Sequence, residues 1–147
     1  MFSRLIATLT LGLSVLLLSG CAVNKATATL SPGTDLSKIK TVYVVKQPKD
    51  GRNIDELIKV NLEKRGYIVT KGPELSGGYA TDVAVTYIDK WMWDITMYMI
   101  ELTVQMRDPK TSFPVASGNS MHTSLTRKSP PEMVDEVINN ILTAPKK

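Results

Sequence analysis

The 147-residue chain has one Cys and one His. A single Cys excludes a disulfide scaffold. One His, with no cluster of His, Cys, Asp and Glu at ligand spacing, leaves no metal site to expect and no partners for a Ser-His-Asp or Cys-His arrangement. Gly and Pro are few, at 9 and 8, while 43% of residues are hydrophobic. A collagen-like or disordered chain is therefore excluded. Aromatics make up only 6%. No apolar run is long enough to cross a bilayer, which takes roughly 20 residues. What remains fits one globular domain with a net charge of +4.

The start of the chain reads as an address. Arg4 precedes an apolar stretch from Leu5 to Leu18, interrupted by Thr8, Thr10, Gly12 and Ser14, and small residues follow. A basic start, a short apolar middle and a small-residue end describe a secretory signal peptide over residues 1–20. Leu18-Ser19-Gly20-Cys21 resembles the lipobox of bacterial lipoproteins. The resemblance implies cleavage before Cys21, a diacylglyceryl thioether on its sulfur and an acylated amine. This covalent lipid is the only non-protein group expected; no cofactor is. Ala22 follows the Cys rather than Asp, which by the same resemblance favours the outer membrane, facing the periplasm. Residues 21–35, rich in Ala, Thr, Ser, Pro and Gly, read as a lipidated N-terminus and flexible tether. Residues 36–147 then form one periplasmic α/β domain.

Within that domain the expected order is β-α-β-β-β-β-α. Thr41 to Val45 is a β-branched run and reads as a buried strand. Asn53 and Glu56 suggest a capping box for a helix with Ile54, Leu57, Ile58 and Leu62 on one face, ended by Gly66. Tyr67 to Thr70 returns as a strand. Residues 82–93 and 98–106 alternate as a long hairpin. Placing Trp93 opposite Tyr98 also sets Lys90 opposite Glu101, a favourable pair. Asp108-Pro109-Lys110-Thr111 is a type I turn. The weakly patterned segment 113–123 reads as an edge strand, with His122 a surface or edge residue. Ser129-Pro130-Pro131-Glu132 opens a helix with Met133, Val134, Val137, Ile138, Ile141 and Leu142 in one stripe. The fold class is α+β: a two-layer sandwich, with a mostly antiparallel sheet of about five strands and both helices on one face.

This pattern resembles small bacterial lipoproteins of unknown function, through the strand at Thr41 to Val45, the pair Gly66-Tyr67 and the turn at residues 108–111. The lipopolysaccharide-assembly and curli-secretion lipoproteins are similar in architecture. The resemblance implies an envelope role; fold alone does not assign a function.

Two features are candidates for contact. Near the hairpin tip, Trp91, Met92, Trp93, Met97, Tyr98 and Met99 make both faces apolar, which marks a partner or membrane contact unless the Trp residues lie in the core and Met92 and Met99 are capped by the N-terminal segment. Residues 36–71 hold nine Lys/Arg against four Asp/Glu, so Lys46, Lys49 and Arg52 are candidate anion contacts. No catalytic residue is identified, and the chain does not read as an enzyme. The sequence thus points to a lipid-anchored, non-catalytic envelope protein. Its partners would be the membrane, through the anchor, and a protein of outer-membrane assembly or maintenance. The alternative is an amphiphile-binding or lipopolysaccharide-type glycolipid-binding lipoprotein. Nucleic acid is not an expected partner in that compartment.

Overall fold

A computed structural model describes residues 24–145. The expected signal peptide over residues 1–20, the expected cleavage motif Leu18-Ser19-Gly20 and the expected lipidation site Cys21 lie outside the described residues. Six strands, β1 (Asn24–Leu30), β2 (Thr41–Val45), β3 (Ile68–Gly72), β4 (Val83–Asp94), β5 (Thr96–Arg107) and β6 (Pro114–His122), form one sheet in the order β1-β6-β5-β4-β2-β3. Two α-helices, α1 (Ile54–Lys64) and α2 (Pro130–Thr143), cover one face. They share a single core with the sheet. They also meet each other directly, since Arg65 and Asn61 of α1 both bond the Asp135 carboxylate of α2, at 2.8 and 2.9 Å.

The α+β sandwich is as expected, but the sheet is mixed, with three antiparallel and two parallel pairings, and it has six strands rather than about five. β2 runs parallel to both β3 and β4, while β4, β5, β6 and β1 alternate in direction. The β2-α1-β3 crossover makes the first parallel pair. The second is fixed at its start by Asp82, whose carboxylate accepts from the Lys40 and Thr41 amides at 2.9 and 2.8 Å.

The sixth strand comes from the segment expected to be a flexible tether. Residues 24–30 pair along their whole length with β6. Residues 24–30, expected to belong to the tether, are therefore part of the sheet. Alternating Thr and Ala suit an edge strand that packs one side lightly and leaves the other wet. With β1 outside it, β6 is interior, which corrects its expected edge position. Gly118 sits on β6 beneath α2. A Cβ there would lie 2.7 Å from Ile141 Cγ1 and 2.9 Å from Val137 Cγ2. Gly118→Ala is expected to lower stability by about 1–2 kcal/mol by overpacking this contact, measured by denaturant unfolding.

Helix α1 starts differently from its expected capping box. Asn53 adopts φ 57° and makes no side-chain cap. Asp50 does the work instead, accepting from the Arg52 and Asp55 amides at 2.9 and 3.1 Å. Burial pushes the Asp50 carboxyl up, but the Tyr87 hydroxyl and these amides outweigh it and hold the group below its ordinary range. At α2, the Glu132 carboxylate accepts from the Ser129 amide at 2.8 Å, as the capping box implies.

Candidate interaction surfaces

The β4–β5 hairpin reaches well past its neighbours. Lys90 stands opposite Glu101, with a 2.6 Å ion pair. Beyond it the register slips by one, so Trp93 faces Met97 and Met92 faces Tyr98, not Trp93 and Tyr98 as expected. Ile100 is the extra residue. This bulge turns Met99 toward the core, where it is buried beside half-buried Trp91. An uninterrupted alternation would have pointed Met99 to water.

The six apolar candidates at the tip therefore divide. Tyr98 and Met99 are buried, and Trp91 packs against the core with Arg52 stacked 3.9 Å over its ring. Trp93, Met92 and Met97 are exposed, at 69%, 47% and 45%, and Ile95 at the apex is 87% exposed. Trp93 and Met97 share one face while Met92 lies on the other, so the end of the hairpin is apolar on both. Leu125, 83% exposed, joins the same end from the turn at Ser124–Thr126. Arg127 ties that turn to the tip. It donates to the Asp94 carbonyl at 2.8 Å and to the Thr96 hydroxyl at 2.7 Å, and stacks 4.2 Å over the Tyr98 ring.

Ile95 has φ 61°. A β-branched residue in the left-handed region costs about 1–2 kcal/mol, and Asn tolerates it better. Ile95→Asn is expected to stabilise the domain by about 1 kcal/mol, seen as a raised denaturation midpoint. Strain of this kind gathers at functional positions.

Neither described helix covers the other face of the sheet. A groove of about 330 Å³ runs across it, lined by Tyr79, Thr86, Thr103, Gln105 and Arg107 among others. Arg107 is held by the Gln105 side chain at 2.5 Å and Thr86 at 3.2 Å. A second, apolar groove of about 490 Å³ lies at the carboxyl ends of β2 and β3, between Val45, Pro48, Pro73 and Tyr87, with Lys46 at its rim. Of the three candidate anion contacts, Lys46 alone lines this groove. It lies 4.0 Å from Asp55. Arg52 is engaged by Trp91, and Lys49 lines neither groove.

His122 is buried, at 5% exposure, which corrects the expected surface position. Strand β1 covers the outer edge of β6, and α2 supplies Glu136, which meets His122 Nε2 at 2.6 Å. Ser120 and Lys128 also donate to Glu136, each at 2.5 Å. Ser120 Oγ and His122 Nε2 thus converge on the same carboxylate oxygen, Glu136 Oε2. Asp89 and Asp94 form no carboxylate pair: the first accepts from the Trp91 indole at 2.6 Å, and the second faces Arg127 at 3.2 Å. Among the described residues, no group of three or more His, Cys, Asp or Glu is placed to hold a metal ion. None of their helices is long and apolar enough to cross a membrane.

No protein-family model and no curated protein sequence matches the chain. Its fold resembles two structures of the PelC dodecamer from Paraburkholderia phytofirmans. One aligns with a TM-score of 0.58 at 13% identity, over 84% of this chain and 100% of that one. The other gives 0.56 at 13% identity, over 82% and 96%. A PDZ domain protein from Parabacteroides distasonis aligns with a TM-score of 0.52 at 11% identity, over 86% of this chain and 38% of that one. At these identities the likeness is one of fold.

Proposed function

We propose that this chain is a lipid-anchored, non-catalytic envelope lipoprotein that binds a protein partner in outer-membrane assembly or maintenance. The observation that carries the binding reading is the sheet face opposite the helices, where Arg107, Gln105 and Thr103 border a groove open to a partner. The lipobox at Leu18 to Cys21 supports the anchor, and the only His, committed to Glu136 in the interior, supports a role without catalysis. In the full lipidated chain in its native envelope, a photoreactive residue at Thr103 is expected to give one dominant protein adduct. Arg107→Glu should abolish it. No adduct at that position overturns the reading.

A second reading rests on the apolar groove with Lys46 at its rim: an amphiphile, including a lipopolysaccharide-type glycolipid, with its acyl part between Pro48 and Pro73 and its anionic group on Lys46. It predicts binding that weakens with salt and with Lys46→Gln. Binding indifferent to both removes it.

A further inference from the structure

The structure places Asn24 and the hairpin tip at the same end of the sheet. Asn24 pairs with His122, the last residue of β6, and Met121 beside it pairs with Glu101. From that level β4 and β5 continue alone to Asp94 and Thr96. The Ser124–Thr126 turn closes the same end, with the Thr126 hydroxyl bonded to the Asn24 side chain and the Ser124 hydroxyl to Asp94. Trp91 stands level with Asn24, so Ile95 lies about four strand rises further out, or roughly 13 Å. Three residue steps separate Cys21 from Asn24, and no conformation of three residues spans more than about 10 Å. Cys21 therefore cannot reach past the level of the tip. The domain has no slack with which to stand off from the bilayer.

The end that must face the headgroups is the one that carries exposed Trp93, Ile95, Met97, Met92 and Leu125. Trp favours the membrane interface, where its ring meets apolar and polar layers together. Polar groups that would resist entry are satisfied within the chain: Arg127 covers the Asp94 carbonyl and carboxylate and the Thr96 hydroxyl. Such pairing lowers the desolvation cost of bringing them to the interface. Lys25 and Lys90 sit further back, at the level of Met121 and Glu101, where headgroup phosphates would lie. The strained Ile95 keeps an apolar side chain at the apex where Asn or Gly would fit the backbone better.

We propose that the tip of the β4–β5 hairpin, with Leu125, enters the headgroup–acyl boundary of the leaflet that holds the Cys21 lipid. The proposal rests on the lipoprotein reading. It gives the domain two membrane contacts, one covalent and one inserted, and stands its strands steeply on the bilayer. Several acyl chains on Cys21 would hold the chain at the bilayer by themselves, and the inserted tip adds apolar contact that orients the domain. The open-face groove at Thr86 is eight residues from Asp94, roughly 26 Å from the bilayer side, and stays accessible to a protein partner.

The test uses the full lipidated chain in vesicles of phosphatidylethanolamine and phosphatidylglycerol, with brominated acyl chains as quencher. The only two Trp residues are 91 and 93. More than half of the Trp93 emission is expected to be quenched. Trp93→Phe, at an exposed site, should remove most of the quenchable signal. Ile95→Asn should cut quenching at least threefold while raising the unfolding midpoint, which separates lost contact from lost fold. A chain whose mass shows the Cys21 lipid but whose Trp93 is unquenched overturns insertion and leaves the lipoprotein reading intact. A protein adduct from a photoreactive residue at Met92 in the native envelope, with Trp93 unquenched, would assign the tip to a protein instead. An unmodified Cys21 overturns both readings.

Discussion

Lys71→Met is expected to destabilise the domain by about 3 kcal/mol, the lower end of the range for stripping one partner from a buried ion pair. Asp55, in the first turn of α1, is 0% exposed. Its Oδ2 lies 2.7 Å from Lys71 Nζ and 4.0 Å from Lys46 Nζ, and its Oδ1 has no hydrogen-bond partner. The carboxylate thus depends mainly on one ammonium. Lys71 itself is partly exposed and has a second partner in Glu56, at 2.8 Å. Hydrogen bonds from Lys71 to Asp55 and then to Glu56 hold its pKa above the ordinary lysine value. Removing the lysine leaves a charge in the interior with Lys46 at a distance. The signature of that cause is reversal: adding Asp55→Leu to Lys71→Met should recover most of the loss, since an apolar pair of similar volume needs no counterion. Unfolding in urea for the wild type, the single variant and the double variant checks it. A single variant within 0.5 kcal/mol of wild type, or a double variant no better than the single, would sink the argument.

Most local signals in the sequence carried into the structure, the Asn53–Glu56 cap excepted, and distant ones did not. The Ser129-Pro130-Pro131-Glu132 start, the turn at Asp108 and the Lys90–Glu101 pair all depend on residues close in sequence or directly opposed. Strand β1 was hidden because Asn24 to Leu30 is nearly all small or polar, and its strand state comes from pairing with β6, about 90 residues away. That one omission also misplaced β6 at an edge and His122 at the surface. The bulge at Ile100 was illegible for a related reason: it is set by whether Met99 gains a place in the core, which depends on the helices. At the candidate surface, the apolar character of Met92, Trp93 and Met97 was readable. Their position at the same end of the sheet as Asn24 was not, because it follows from the order of strands in the sheet. Turn chemistry argues against a β-branched residue at positive φ and so favours a loop over residues 94–97, whereas Ile95 adopts φ 61° in a tighter turn.

Glu136 should control the acid limb of stability. Burial alone would push its carboxyl up, but donation from Lys128, Ser120 and His122 outweighs burial and holds it down at about 2. A carboxyl whose folded pKa is depressed stabilises the fold fully above its unfolded value, near 4.5, and the contribution is lost as pH falls through the folded value. A shift of this size corresponds to roughly 3 kcal/mol at neutral pH. Wild-type stability should therefore fall by that order between about pH 4.5 and pH 2. Glu136→Gln should be less stable by about 2–3 kcal/mol at pH 7, because an amide cannot replace three charge-assisted acceptor contacts. It should also lose this segment of the pH profile, so that the two proteins converge near pH 2. Convergence is the discriminating result, since a packing defect would keep the gap constant with pH. Denaturant unfolding at intervals from pH 2 to 7 measures it, and parallel profiles for the two proteins would show that the carboxylate is not the group that holds β6 to α2.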